Sequence, residues 1–326
     1  MRTLLIPCAG SRKINHRPVF MNIHPDGKLL AEKCLEGIFP ETYDRIVFAL
    51  LDEIDKEYNA TEVILSSMGE TYPVEVVRLP RETIGPADTV SQSIELAGIK
   101  GEFAIRDCLN SIQLEKNTYG NFVSGLDLTT YNQDVYKVRT KSFIVLNEQN
   151  QILDIIEKKF RSDVISVGLY GFKSTDDYKT AYKRLTDPNY PIKKLYISNI
   201  ISFLIGYNQR VFHCVSVIRH EDWGSLETWN QLQRRYATCF IDADSLIGEI
   251  LSDRNTEKLI NAMIKEANKQ MCYIVFTAGN VDGETLKNVF SEKRINCVGV
   301  VSGVSQSNKK TIVSNADELK TVSMGV

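Results

Sequence analysis

Leu4-Leu5-Ile6-Pro7-Cys8-Ala9-Gly10-Ser11-Arg12-Lys13 opens the chain with a short apolar run that ends in a small-residue turn carrying two cations. Such a run, bounded by glycine, reads as a buried strand from Leu4 to Cys8, followed by backbone free to approach a ligand. A helix-like Leu29 to Ile38 comes next, then apolar runs at Arg45 to Leu51 and Val74 to Leu79, a helix-like Val90 to Ala97 and a strand at Phe103 to Ile105. Strands alternating with amphipathic segments predict an α/β fold with a doubly wound, mainly parallel sheet.

From Asn121 to Phe172 the period changes. Phe122 to Leu128, Ser142 to Leu146, Ile152 to Ile156 and Val164 to Phe172 read as strands in succession, an antiparallel excursion that makes the sheet mixed. Helical patterns return at Asp176 to Leu185, Ile197 to Tyr207 and Ser225 to Tyr236. A second β-α-β series then begins: Thr238 to Asp242, Thr256 to Lys269, Cys272 to Thr277, Glu284 to Glu292 and Cys297 to Val301. The boundary falls near residue 236, giving a first domain of residues 1–236 and a small second Rossmann-like α/β domain of residues 237–326.

The composition agrees with two closed cores. The chain has 326 residues, 43% of them hydrophobic, and at roughly 150 residues per domain the length asks for two. The 39 basic and 41 acidic residues leave a formal charge of −2, which removes the broad positive field that non-specific nucleic-acid binding needs. Seven cysteines lie far apart with no C-x-x-C pair, the pattern of reduced thiols in a cytoplasmic protein and not of a disulfide frame or zinc site. The opening apolar stretch is too short for a signal peptide, and the longest later one, Ile200 to Tyr207, is far short of a membrane span. A cytoplasmic location is expected, with no membrane partner.

Ligands of open α/β sheets bind at the carboxyl ends of strands, so the residues after each apolar run carry the candidate chemistry. Gly10, Ser11 and Arg12 form a turn whose N–H groups and guanidinium suit phosphate oxygens, although a strand followed by a glycine turn is also common as plain structure. Asp107 after the Phe103 strand could meet a divalent cation beside a phosphate, or simply cap its turn. Glu157-Lys158 pairs a hydroxyl acceptor with a phosphate donor, or is a solvated charge pair. His220-Glu221-Asp222-Trp223-Gly224-Ser225 ends the last run and caps a helix. The four histidines are scattered, and no Ser/His/Asp or Cys/His set is visible.

Taken in order, these segments resemble the sugar-phosphate nucleotidyltransferases, or nucleotide-sugar pyrophosphorylases, in the versions encoded with surface-polysaccharide genes. The resemblance covers residues 1 to about 236. It rests on Ile6-Pro7-Cys8-Ala9-Gly10-Ser11-Arg12, His16-Arg17-Pro18 with Gly27-Lys28-Leu29-Leu30, Thr83-Ile84-Gly85-Pro86-Ala87-Asp88-Thr89-Val90, Phe103-Ala104-Ile105-Arg106-Asp107-Cys108-Leu109-Asn110, Ile156-Glu157-Lys158, Ser166-Val167-Gly168-Leu169-Tyr170 and Asp222-Trp223-Gly224-Ser225. It implies a nucleotide-diphospho-sugar transferase fold. It further implies that Arg12 and the backbone near Gly10 and Ser11 hold a nucleoside triphosphate, that Arg17 stands where the family has a lysine, and that Gly85 lies against the base. Asp107 and Asp222 would bind Mg²⁺, Glu157 substrate hydroxyls and Lys158 the substrate phosphate. The implied chemistry is attack by a phosphomonoester oxygen on the α-phosphorus with loss of pyrophosphate, driven by positioning and charge neutralisation. The first loop is shorter than the family's usual one, Leu109 replaces a frequent carboxylate, and no glutamine precedes Gly85 to read a pyrimidine, so the base stays open.

Phe240-Ile241-Asp242-Ala243-Asp244 sets two carboxylates at a strand end, a spacing that suits a phosphoryl-accepting Asp beside an acid/base Asp around Mg²⁺. With Thr277, Lys309-Lys310 and Asn315-Ala316-Asp317, the order resembles a degenerate haloacid dehalogenase domain. The resemblance implies Asp242 as nucleophile, Asp244 as acid/base, Thr277 and Lys309 as phosphate contacts, and Asp242, Asp244 and Asp317 around the metal. A purely structural domain is the other reading of this part. For the whole chain the rivals are a glycosyltransferase using a ready-made nucleotide sugar and a nucleotide-binding regulatory protein without turnover.

Overall fold

The computed structural model describes residues 1–10, 12–14, 17–131, 138–189 and 194–235, and beyond them 238–242, 248, 257–262, 265, 273–278, 283–292, 300–302 and 312–313. It divides into two compact units: Met1–Asn22 with Leu29–Trp229, and Ile23–Lys28 with Asn230–Val326.

The first unit is built on β1 (Thr3–Pro7), the hairpin strands β2 (Lys13–Ile14) and β3 (Arg17–Pro18), β4 (Arg45–Leu51), β5 (Val74–Leu79), β6 (Phe103–Arg106), β7 (Asn110–Leu114), β8 (Phe122–Asp127), β9 (Ser142–Leu146), β10 (Ile152–Glu157), β11 (Val164–Phe172) and β12 (His213–Asp222). Ten of these make one sheet in the order β5-β4-β1-β6-β11-β8-β12-β7, with β9 joining β10 to β11. β5, β4, β1 and β6 run parallel, and β11 is antiparallel to both β6 and β8. β12 is parallel to β8 and antiparallel to β7. The sheet is thus mixed and mainly parallel on its first half, as expected. Leu4, Leu5 and Ile6 of β1 and Ile46 through Leu50 of β4 are fully buried, the near-continuous apolar run of a strand covered on both faces.

Helices α1 (Leu30–Lys33), α2 (Asp52–Tyr58), α3 (Ala60–Met68), α4 (Pro86–Leu96), α5 (Thr175–Leu185) and α6 (Ile197–Gly206) complete the unit, and the division between the units falls within α7 (Leu226–Arg235). α4 begins earlier than the expected Val90 because Pro86 sits at its first position, where its missing N–H costs nothing. The helix expected over Leu29 to Ile38 is a correction: only Leu30–Lys33 is α-helical, and Gly37, at φ +74°, lies in the turns that follow. A Cβ on Gly37 would stand 2.4 Å from the Ile112 carbonyl oxygen, so this turn approaches β7 as only glycine allows. β7 and the pair α2 and α3 were not anticipated. Phe103, Phe172, Tyr178 and Phe212 form one aromatic cluster, with Phe103 stacked on Phe172 at 5.2 Å, and the Tyr178 hydroxyl donates to the Ala87 carbonyl at 3.0 Å, docking α5 on α4.

In the second unit four parallel strands, Val300–Ser302, Tyr273–Ala278, Thr238–Asp242 and Ile312–Val313, form a separate sheet in that order. The helix Gly283–Glu292 follows its second strand in sequence. Among the described residues no helix is long and apolar enough to cross a membrane.

Candidate active site

Two turns at the carboxyl end of the main sheet are locked together. Asp222 closes β12 opposite Asn110, the first residue of β7, so the residues after Asp222 run beside the turn Asp107-Cys108-Leu109 that joins β6 to β7. The Trp223 backbone N–H donates to the Leu109 carbonyl at 3.0 Å, and its fully buried indole N–H donates to the Cys108 carbonyl at 2.9 Å. Beneath this clamp lies Arg106, wholly buried. Its guanidinium donates to the Cys34 carbonyl (2.9 Å), the Asn110 side-chain and main-chain oxygens (2.9 and 2.5 Å) and the Gly168 carbonyl (3.2 Å). Gly168, at φ +86°, accepts the Asp107 N–H at 2.7 Å, and a Cβ there would come within 2.7 Å of the Asp107 Cβ. Glycine is what lets β11 pass so close to the carboxylate.

The clamp fixes both carboxylates. Asp107 Oδ1 accepts the Leu109 N–H at 3.0 Å, and Asp222 Oδ1 accepts the Gly224 N–H at 2.8 Å. Asp222 Oδ2 takes the ammonium of Lys141. Burial lifts the Asp107 carboxyl above its ordinary value, and the nearby charge of Asp222 adds to the lift against the pull of Arg106, the Leu109 N–H and Lys141. Burial pushes Asp222 upward as well, but the charge and hydrogen bond of Lys141, the Gly224 N–H and His220 outweigh it and hold Asp222 low. Two close, partly buried carboxylates with hard oxygen donors suit a magnesium-type cation that takes its remaining ligands from substrate phosphates. Among the described residues no group of three or more His, Cys, Asp or Glu stands ready to hold a metal unaided.

Contacts lead outward from this pair. The Arg12 guanidinium donates to the Gly224 carbonyl, bringing the first loop to the Asp222 turn. On the other side, the Lys141 carbonyl accepts the N–H of Lys158 at 3.1 Å, because Ser142 and Glu157 face each other across β9 and β10. Lys158 sits in the left-handed region at φ +55°, just past the end of β10. Its ammonium lies 3.6 Å from Glu157, donates to the Tyr196 hydroxyl at 2.5 Å and stacks 4.1 Å over that ring. Partial burial draws on the Lys158 ammonium, but Tyr196 and Glu157 outweigh it and raise its pKa. Glu157 Oε2 accepts the hydroxyls of Ser142 (2.5 Å) and Ser198 (2.7 Å). Leu195, beside Tyr196, offers its carbonyl to the Ala87 N–H at 3.2 Å and lies 3.0 Å from where a Gly85 Cβ would be, so a side chain at Gly85 would crowd this segment.

Arg12, Asp222, Glu157, Lys158 and Gly85 therefore fall on one connected series of contacts, with Asp107 held against Asp222 by the clamp. Gly10 is exposed with open space around it, Arg17 is exposed on β3, and Ser11 lies outside the described residues. Lys141, Arg106 and Tyr196 were not singled out from sequence, since their roles come from strand pairing and burial. In the second unit Asp242 and Thr277 are in-register neighbours on adjacent parallel strands. Asp244, Lys309 and Asp317 lie outside the described residues. Cys8, Cys34, Cys108 and Cys214 are free thiols.

The class this architecture defines is the nucleotide-diphospho-sugar transferase fold. Solved structures share it, the following three among them. A nucleoside-diphosphate-sugar pyrophosphorylase from Vibrio cholerae RC9 aligns with TM-score 0.58 and 18% identity over 72% of this chain and 100% of its own. A UDP-glucose pyrophosphorylase complexed with UDP-glucose aligns with TM-score 0.54, 15% identity and coverage of 72% and 97%. The inositol-1-phosphate CTP transferase from T. maritima gives 0.53, 12%, 72% and 96%. At these identities the likeness is one of fold. No family model matches the chain, and no curated protein does.

Proposed function

We propose that the first unit is a Mg²⁺-dependent nucleotidyltransferase, which couples a nucleoside triphosphate to a phosphorylated sugar, or to a phosphorylated small alcohol or amine, and releases pyrophosphate. The observation that carries this reading is the single contact series from Arg12 through Asp222, Lys141 and Lys158 to Leu195 beside Gly85. It joins the Arg12 guanidinium, the Asp222 carboxylate and the Glu157-Lys158 pair, the groups that this reading needs for phosphate, metal and acceptor. The structural neighbours, which are pyrophosphorylases and a CTP transferase, support the same reading.

In this reading Asp107 and Asp222 hold Mg²⁺, whose contribution when bound is to neutralise phosphate charge and favour loss of pyrophosphate. Arg12 binds the triphosphate from the other side of the Asp222 turn. Lys158 binds the phosphate of the acceptor, and Glu157, with both partner hydroxyls on Oε2, presents Oε1 to acceptor hydroxyls. The acceptor oxygen then attacks the α-phosphorus, the bond to the β-phosphate bridge breaks, and no side chain becomes covalently modified. Arg106 and Trp223 position the carboxylates without touching substrate. Surface-polysaccharide synthesis in the cytoplasm rests on the family resemblance of the motifs.

For the second unit we propose a haloacid dehalogenase-like origin, supported by Asp242 and Thr277 standing in register on adjacent parallel strands; phosphatase activity there is a separate matter, tested by ester hydrolysis in wild type and Asp242→Asn. The main test is pyrophosphate release with Mg²⁺ across four nucleoside triphosphates and a panel of phosphorylated sugars, alditols and amino alcohols. Release that requires one triphosphate and one acceptor is the expected result. Binding of nucleotide with no turnover on any acceptor would favour the regulatory reading, and glycosyl transfer from a nucleotide sugar would favour the glycosyltransferase.

A further inference from the structure

Lys141 holds a position that the proposed chemistry leaves unexplained. Its ammonium pairs with Asp222 Oδ2, and only 19% of its side chain and 15% of that of Asp222 are exposed. Asp222 Oδ1 is already taken by the Gly224 N–H, so Lys141 occupies the oxygen left for a cation. The lysine is anchored from its backbone. Its N–H donates to the Val138 carbonyl at 3.0 Å, its carbonyl accepts from Lys158, and β9 begins at the next residue.

We propose that Lys141 is a built-in counter-cation, holding on Asp222 the place a divalent cation takes, so that metal enters efficiently only together with nucleotide phosphates. This rests on the assignment of Asp107 and Asp222 as the metal pair. The reason is a balance of partners. A bare divalent cation entering the pair must displace a largely buried ammonium and leave it without an anion, which is costly. A cation arriving with a triphosphate brings new anionic oxygens to which the displaced ammonium can turn, and the two binding events then favour each other. Lys141 thereby acts as a positioning residue in the free protein and becomes a phosphate contact in the complex. Lys158, one hydrogen bond away just past the end of β10, is left to the acceptor.

The test is Mn²⁺ binding to the full chain without nucleotide, followed by the electron paramagnetic resonance signal of free Mn²⁺, in wild type, Lys141→Met, Asp107→Asn and the Lys141→Met/Asp107→Asn double variant. Lys141→Met should bind Mn²⁺ more tightly than wild type by about tenfold or more, within the range typical of coupling between sites, and the double variant should lose the gain. Lys141→Gln, which can still hydrogen-bond Asp222 but carries no charge, should move the same way and serves if Lys141→Met fails to fold. Lys141→Arg, which restores the charge, should bind Mn²⁺ as weakly as wild type. Equal or weaker Mn²⁺ binding in the uncharged variants, with Asp107→Asn still weakening it, would overturn the counter-cation role and leave the metal pair standing. A gain that survives Asp107→Asn would overturn it as well, and no Mn²⁺ binding in any protein would overturn the metal pair and this inference together.

Discussion

The indole N–H of Trp223 donates to the carbonyl of Cys108 at 2.9 Å, and this bond ties the turn bearing Asp222 to the turn bearing Asp107. Replacing Trp223 by Phe keeps most of the buried volume but strands that carbonyl in a dry site. The expected loss is about 1–3 kcal/mol of stability, the usual cost of an unmade buried hydrogen bond. Urea unfolding followed by circular dichroism measures it, and a midpoint unchanged from wild type would contradict the clamp.

Gly168→Ala should cost both stability and function. Its φ of +86° strains any side chain by about 1–3 kcal/mol, and the new methyl would meet the Asp107 Cβ at 2.7 Å. Thermal unfolding should fall, and pyrophosphate release should fall further than at Gly120→Ala. Gly120 also has positive φ, +73°, but open space around it, so its variant isolates the strain from the collision.

Asp107→Asn and Asp222→Asn should each lower the rate of pyrophosphate release by on the order of 10² to 10³, the scale of losing one preorganised electrostatic partner. Lys158→Ala should act chiefly on the KM of the phosphorylated acceptor. Tyr196→Phe should do less than Lys158→Ala, since it removes the hydroxyl at 2.5 Å but keeps the ring face beneath the ammonium. Steady-state kinetics with both substrates varied separates these effects.

Asp88 gives a pH prediction away from the site. Burial pushes its carboxyl up, but the Tyr182 hydroxyl, the Gln92 amide, the Ile84 N–H and the Arg81 charge outweigh it, so its folded pKa lies below the unfolded one. A depressed carboxylate contributes stability in full above its unfolded pKa, about 3.9, and loses that contribution as pH falls through the lower folded value. The stability gap between wild type and Asp88→Asn should therefore be widest near pH 6 and narrow below about pH 4. A gap that stays constant from pH 6 to pH 3, measured by urea midpoints, would refute the assignment.

Much of this was legible in the residues. The apolar runs of β1 and β4 are continuous, which marks strands buried on both faces, and the candidate residues that follow β1 and β6 stand at strand ends because open sheets leave their carboxyl edges free. β7 was missed because Asn110-Ser111-Ile112-Gln113-Leu114 has only a weak alternation, and it is a strand by virtue of pairing with β12, more than a hundred positions away. Lys141 was missed for a related reason: nothing local distinguishes it from the other lysines, and only the β9–β10 register and the meeting with Asp222 give it a role. Arg106 has no local mark of its role either, since a buried guanidinium looks like any other arginine until its four acceptors are in place.

The pairing of β12 with β8 and β7 carries a consequence for biosynthesis. A chain emerging from the ribosome can join β1 to β4 and β6 early, yet Asp107 has no Asp222 beside it, and the Cys108 carbonyl no indole, until Trp223 has left the exit tunnel. A nascent first unit is thus a sheet whose two carboxylate-bearing turns stay untied, and a chain stopped before residue 222 would lack both the strand that joins β8 to β7 and the clamp that follows it.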